Sequence, residues 1–524
     1  MNKNSDVISS LEAVQARRYA GRDEARPDAI ARQHALGKLS ARERIALLLD
    51  DGRFEESGAL VEPGRDTFDT EDLQAPGDGV ITGFGQIEGR PAAICAFDFT
   101  IVGGSNGARA EYKVLRLTAQ CLQHGYPLVM LLDGGGHRIQ EGLDSRHFAR
   151  GTPMFQTFAD LSGWVPVVAA VMGPGFAGPS NFAALADFVV MVEKTSTMGI
   201  AGPALVKAAT GEDATKDELG GAAVQVDQAG IADMVAADDA AALGLIRHYL
   251  SYLPSNASKA PPIVNTGDPA DRREDALLAI VPENSRRAFD MRKIITMIAD
   301  TGSVFEIKPT YAKNILTGFC RMDGRVVGYI ANQPMHIGGT LTAAACEKGA
   351  HFISLCDAFG IALLYLIDVP GFMVGSMAER TGLARRSGRL IFELGQATVP
   401  RISVVIRKGY GLAYVAMAGG RSFDADLCVA WPTAEICAMS VEGAVDVAYR
   451  KAIEHASDPA AHRTALIDRF RSQLGSLRAV EAYGIDDVID PRDTRSAIIT
   501  ALSRTGDRKM ALARSPRKHP ISPC

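Results

Sequence analysis

The chain of 524 residues lacks any Cys-x-x-Cys pair, any leader-like start and any uninterrupted apolar run of membrane-spanning length. Its eight cysteines stand apart at 95, 121, 320, 346, 356, 428, 437 and 524, which argues against a zinc ribbon and fits reduced thiols. The opening MNKNSDVISS is polar, and no stretch reaches the roughly eighteen residues of a span without Gly, Pro or charge interrupting it. A soluble, cytoplasmic protein with no membrane contact is expected. With 2 Trp, 12 Tyr, 20 Phe and a net charge of −5, the chain offers no basic field or aromatic platform, so no nucleic acid partner is expected. A phosphate loop of the G-x-x-x-x-G-K-[ST] type is missing, as is a convincing Ser/His/Asp or metal-ligand constellation, and no metal is expected.

What is present is a globular composition, 47% hydrophobic and 22% charged, in a chain long enough for two large domains. The first 75 residues are charge-rich; within SARERIALLLDDG, Ser40 and Glu43 have capping-box spacing, and Ile45, Leu48 and Leu49 share a helical face. Residues 1–75 therefore read as a helical segment packing on a larger body. Residues 76–252 form a first domain, 253–275 (LPSNASKAPPIVNTGDPADRRED) a linker, and 276–524 a second domain ending in the basic, proline-containing arm RTGDRKMALARSPRKHPISPC.

The halves repeat. ITGFGQIEGR (81–90) returns as LTGFCRMDGR (316–325) at an offset of 235, which also carries Gly103 and Gly104 onto Gly338 and Gly339, Asp133 onto Asp368 and Gly136 onto Gly371. Further on, WVPVVAAV answers TVPRISVV at 234 and ADFVVMV answers ADLCVAW at 239. Each half reads as a hairpin around IEGR or MDGR, a Gly-Gly turn, an amphipathic helix, a buried strand, a Gly-rich loop, a helix, and a second buried strand with its own Gly-rich turn. The runs YPLVMLLD and IALLYLID are continuously apolar, as when both faces of a strand are covered. The fold class is α/β, in two tandem domains of one architecture.

Corresponding loops after corresponding strands are where α/β sheets place ligands. The loops are GGGHRIQEG and MGPGFAGPSN in the first half, and VPGFMVGSMAERTG and RKGYGLAY in the second. Taken singly, each could be a bland turn, a phosphate cradle or a set of amides aimed at developing negative charge. His137 reads as a loop hydrogen-bonder without an evident orienting partner; Arg138 and Glu141 read as a structural ion pair or as ligand contacts. Arg407 and Lys408 read as a strand end emerging into solvent or as phosphate neutralisers.

From ARQHALGKLSARERIALLLDDG through GGGHRIQEG, DELGGAAVQ, IDVPGF, ERTG, ATVPR, RKGYGLAY and AWPTAEICAM to RKHPISP, nearly the whole chain resembles the carboxyltransferase (β) subunits of biotin-dependent acyl-CoA carboxylases, typified by propionyl-CoA carboxylase. The resemblance implies two crotonase-like (ClpP/crotonase) domains, a homo-oligomer, typically a hexamer, and transfer of carboxylate from carboxybiotin to the α-carbon of an acyl-CoA. Biotin would arrive on a separate carrier, because no Met-Lys-Met biotinylation context is present, and a biotin carboxylase partner would use the ATP. In the family, amides of the first domain hold the enolate oxygen and amides of the second hold the ureido oxygen.

Carried over residue by residue, the resemblance makes Ala177 and Gly178 the first amide pair, where two glycines are usual, followed by Pro179, which has no amide proton. Leu412, replacing a usual glycine, and Ala413 are the second pair; Leu412 fits only at negative φ. Gly135, Gly136, Arg138, Tyr414 and Val415 are expected around the acyl-CoA, and Gly371, Phe372 and Gly411 around biotin. Val415 stands where an aspartate or an apolar residue is usual and suits an aliphatic acyl group. His137 replaces a small residue, Gln225 a frequent histidine. The same site run in reverse would make an acyl-CoA decarboxylase, and Pro179 with Leu412 also allows a degraded scaffold subunit.

Overall fold

The computed structural model describes residues 3–149, 153–285, 287–423, 425–505 and 521. Two compact units divide between residues 259 and 260, inside the expected linker. Most of the expected basic arm, 506–520 and 522–524, lies outside the described residues. Ile521 corrects its assignment to the second domain: it belongs to the first unit, where its N–H donates to Ser162 Oγ (2.9 Å) and its carbonyl accepts from that hydroxyl (3.0 Å).

In the first unit the strands are β1 (Glu55–Ser57), β2 (Val80–Ile87), β3 (Arg90–Phe97), β4 (Ser105–Asn106), β5 (Leu128–Leu132), β6 (Gly136–His137), β7 (Val167–Val171), β8 (Pro174–Phe176), β9 (Phe188–Val192), β10 (Thr197–Gly199) and β11 (Met234–Ala236). Seven form one sheet in the order β1-β2-β3-β5-β7-β9-β11, antiparallel in its first two pairings and parallel thereafter. The short pairs β4–β6 and β8–β10 are parallel and lie outside that sheet. The second unit has β12 (Phe305–Ile307), β13 (Ile315–Met322), β14 (Arg325–Asn332), β15 (Ala362–Val369), β16 (Arg401–Tyr410), β17 (Leu427–Ala430), β18 (Glu435–Cys437) and β19 (Asp487–Val488), ordered β12-β13-β14-β15-β16-β17-β19 with β18 pairing the end of β16. The β16–β18 pair corresponds to β8–β10, and a single bridge between Leu341 and Phe372 to β4–β6.

The repeated hairpins close as the sequence demands. Glu88 and Gly89 (φ 53° and 71°) and Asp323 and Gly324 (52° and 75°) occupy two-residue turns whose left-handed backbone matches strand twist. Strands β5, β7 and β9 are buried at every position because parallel strands carry helices on both faces. Each fully buried Val or Leu contributes about 1.5–3 kcal/mol, so these runs hold the frame on which the loops stand. Helix Ala108–His124 is amphipathic, burying Val114, Leu117 and Cys121, and ends on Gly125 at φ 69°. Its counterpart Ala343–Ala358 departs from the expected amphipathic pattern and is buried along nearly its whole length. Lys113 and Lys348 occupy one repeat position, and each caps backbone carbonyls: Gly77 and Val80 in one case, Lys308, Tyr311 and Ile315 in the other.

The amino-terminal segment starts helix Ala41–Leu48 with a complete Ser40–Glu43 capping box and buries Ile45, Leu48 and Leu49. It also supplies the cations for the buried end of β5. Asp133 accepts from Lys38 Nζ (2.6 Å), Arg44 Nη1 (2.7 Å) and Gln33 Nε2 (3.1 Å), while Arg44 Nε reaches Asp239 (2.7 Å). In the second unit Asp368 takes two bonds from Arg407 (2.7 and 3.2 Å) and one from the Lys408 amide (2.9 Å). Both loop-bearing strand ends are thus fixed by a buried carboxylate.

Candidate active site

The first-unit turn converts a strand into a helix within a few residues. After β8, Ala177 takes φ 62°, ψ −123°, and helix Gly178–Ala184 begins. An alanine here is strained by about 1–3 kcal/mol. The turn persists because the Ala177 amide donates to Gly199 O (2.9 Å), Gly199 N donates to Ser180 Oγ (2.7 Å) and that hydroxyl donates to Gly175 O. Pro179 sits in the first helical turn, where a missing N–H breaks no helical bond. Among the described residues the Gly178 N–H meets no acceptor, and the space beside Gly178 is open. Replacing Ala177 by Gly should raise stability by about 1 kcal/mol, the relieved strain exceeding glycine's entropy cost. Urea titration checks this, and a lower midpoint would show that Ala177 is unstrained.

The second-unit turn has the same form. Gly411 takes φ 63° after β16 and opens helix Gly411–Ala416, and a β-carbon there would stand 3.0 Å from Ala438 O. At the 234-residue offset Ala177 therefore matches Gly411, Gly178 matches Leu412 and Pro179 matches Ala413. The sequence pairing of Ala177–Gly178 with Leu412–Ala413 is shifted by one: the Ala177 amide is committed to Gly199, and the position equivalent to Ala413 is the proline. Leu412 avoids positive φ because Gly411 makes the left-handed turn before it, and its side chain is 58% exposed. Neither Leu412 nor Ala413 N–H meets an acceptor among the described residues, and Ala413 is buried. Beneath the turn the Tyr410 hydroxyl donates to Glu435 Oε2 (2.6 Å). Burial and the Glu435 carboxylate push the Tyr410 phenol up, so it remains a donor.

The glycine loops back onto these turns in the first unit. Gly136 has φ 88°, and a β-carbon on it would lie 3.3 Å from Phe176 O and 3.5 Å from Pro179 Cδ. Gly135 donates to Gly103 O (3.3 Å), and Gly136 abuts the Phe176–Pro179 turn that carries Gly178. Gly371, the counterpart of Gly136, has φ 145°; its carbonyl accepts from Leu341 N (3.0 Å), and half-buried Phe372 bridges Leu341.

Arg138, Tyr414 and Arg407 are each held by partners within their own unit. Arg138 is 2% exposed and bound to Asp78 (2.7 Å) and Glu141 (2.8 Å); those carboxylates also accept from Ala110 and Ala108 amides, so both partners of the guanidinium are tied to the start of helix Ala108–His124. Tyr414 packs its ring on Gly409 and Gly419, inside the second unit, and burial raises its phenol. Arg407 is buried on Asp368 and over the Phe289 ring rather than emerging into solvent. Val415 is half-buried on the helix that carries Leu412 and Ala413. The residue that sequence reasoning missed is Glu111: its Oε1 lies 3.2 Å from His137 Nδ1, across from a different element, so no local spacing could reveal it.

The arrangement offers oriented amides at equivalent turns, suited to an oxygen on which negative charge develops. The family model for the carboxyl transferase domain matches residues 32–520. The chain is 42% identical over 476 residues to the propionyl-CoA carboxylase carboxyltransferase subunit of Haloferax mediterranei, covering 91% of this chain and 92% of that one. It is 38% identical over 514 residues to the methylmalonyl-CoA decarboxylase subunit alpha of Veillonella parvula, covering 98% of each. Among solved structures, the hexameric transcarboxylase 12S, crystallised with methylmalonyl-coenzyme A and methylmalonic acid, superposes with a TM-score of 0.90 at 39% identity, covering 100% of this chain and 99% of that one. The repeat is thereby that of two crotonase-like domains. Matched along nearly its full length, with the turns of its two halves built alike, the chain belongs to the carboxyl transferase family and is an acyl-CoA carboxyltransferase.

Proposed function

We propose that the protein is the carboxyltransferase component of a biotin-dependent acyl-CoA carboxylase acting on a short aliphatic acyl-CoA of the propionyl class. The observation that carries this reading is the pair of equivalent turns whose helix-opening amides lack acceptors among the described residues: Gly178 in the first unit, Leu412 and Ala413 in the second. Gly178 N–H stabilises the thioester oxygen as it becomes an enolate. Leu412 and Ala413 N–H hold the ureido oxygen. The donor set fits that oxygen, because both amides are fixed before reaction and one is withdrawn from water. Carboxybiotin, delivered on a separate carrier, supplies the carboxylate and, after giving it up, a ureido nitrogen that can accept the α-proton. No side-chain base is then required of this chain. Half-buried, apolar Val415 favours an aliphatic acyl group.

The working assembly is a homo-hexamer meeting a biotin carboxylase and carrier in the cytoplasm. The hexameric 12S relative supports the first part. Among the described residues seven cysteines are free and no helix is long and apolar enough to cross a membrane.

Likeness to the decarboxylase subunit favours a second reading, the same chemistry in reverse, since one enolate serves both directions. Incubation of the purified protein with carboxybiotin-loaded carrier and acetyl- to long-chain acyl-CoAs, with mass spectrometry of products, tests the assignment. Methylmalonyl-CoA from propionyl-CoA is the expected product. Loss of carboxylate from methylmalonyl-CoA without net synthesis would support the decarboxylase, and no turnover of either would leave a scaffold.

A further inference from the structure

The strand β6 is fastened by an ionisable pair that its repeat partner does without. His137 Nδ1 lies 3.2 Å from Glu111 Oε1 on helix Ala108–His124, within ion-pair distance and with the imidazole the only possible donor of the two. The ring stands edge-on to Phe148 with centroids 6.2 Å apart, and Nε2 is buried without a hydrogen-bond partner among the described residues. At the 235-residue offset His137 becomes Phe372, Glu111 becomes Cys346 and Asn106, the strand partner of His137, becomes Leu341. The second unit therefore builds the same bridge from apolar residues, so the fold does not need a titratable pair at this point.

The pair's place explains what the first unit uses it for. His137 follows Gly136, and Gly136 abuts Phe176 and Pro179 in the turn that presents Gly178. The ring meets Glu111 and Phe148, neither of which belongs to that turn. We infer that His137, held by Glu111, is a positioning residue that fixes Gly136 against the Gly178 turn and so sets the amide's aim at the developing enolate oxygen. With Nε2 sealed, the imidazole acts through the backbone rather than on substrate. The inference rests on the proposed reading of the first unit as the acyl-CoA site.

Steady-state transfer to propionyl-CoA tests it, with His137→Phe, Glu111→Ala, their double variant and Glu111→Gln beside the wild type, melting temperatures being recorded throughout. Displacement of a reacting group by even an ångström costs up to about a hundred-fold, so His137→Phe and Glu111→Ala should each lower kcat by about ten-fold or more with KM for the acyl-CoA held within about two-fold. The double variant should fall no further than the worse single variant, as for a pair acting as one unit. Glu111→Gln, which keeps an acceptor for the Nδ1 proton, should retain at least about half of kcat. Unchanged kcat in His137→Phe, losses that multiply, or losses that follow melting temperature alone would each overturn the inference while leaving the transferase reading intact. A wild type without transfer activity would overturn both.

Discussion

Ala413→Pro should lower kcat for carboxyl transfer by about a hundred- to a thousand-fold, the usual consequence of removing one donor from an oxyanion-type site. The substitution deletes a single N–H. It falls in the first turn of helix Gly411–Ala416, where no intrahelical bond uses that amide and proline is tolerated. The protein itself supplies the precedent, since Pro179 occupies the equivalent place in the first unit without breaking helix Gly178–Ala184. KM for the acyl-CoA should hold, because the lost interaction belongs to the charge that develops during transfer. Stopped-time assays with matched melting curves check the prediction; a folded variant with wild-type kcat would remove Ala413 from the chemistry.

Asp133→Ala should cost about 3–5 kcal/mol, the range seen when one partner of a buried ion pair is deleted. Asp133 is fully buried, and it neutralises Lys38 and Arg44 from the amino-terminal segment. Without it Arg44 keeps Asp239, but Lys38 loses its hydrogen-bonded carboxylate and keeps the Phe99 ring, 4.2 Å from its ammonium, and the field of the more distant Asp239. Burial already lowers the Lys38 pKa, with Asp133 opposing that shift, so deletion leaves a charge that the site cannot hold. Such a loss is a large part of the total stability of a domain, about 5–15 kcal/mol. Urea denaturation should show a clearly lowered midpoint, and adding Lys38→Met should recover part of it. A midpoint within error of wild type would mean that water or rearrangement satisfies Lys38.

Much of this architecture was legible in the residues. The IEGR and MDGR turns, the apolar β5 and β15 and the Ser40–Glu43 cap each follow from local chemistry that tertiary contacts reinforce. The two-domain repeat appeared from spacing alone, because insertions between the halves are few. Other features depend on partners distant in sequence. Arg138 and Arg407 carry the residue type of a phosphate contact, yet Asp78 and Asp368 bury them, and no local pattern states which carboxylate folds back. Helix Ala343–Ala358 has too few charges to mark an exposed face, which its packing explains. The amide register slipped by one because glycine can be read either as the left-handed residue or as the donor after it. The φ of Ala177 and of Gly411 separates the two roles. Glu111 was invisible as the partner of His137 because the contact joins a helix to a strand across an intervening buried strand.

The central claim is that carboxyl transfer runs on backbone amides at two equivalent turns. Its most direct test follows isotopically labelled carboxylate from carboxybiotin on its carrier into propionyl-CoA, with wild type and Ala413→Pro in parallel. The account predicts labelled methylmalonyl-CoA from the wild type and its near loss in the variant, at unchanged acyl-CoA binding. Equal labelling by both proteins, or none by the wild type beside an active control transferase, would contradict it.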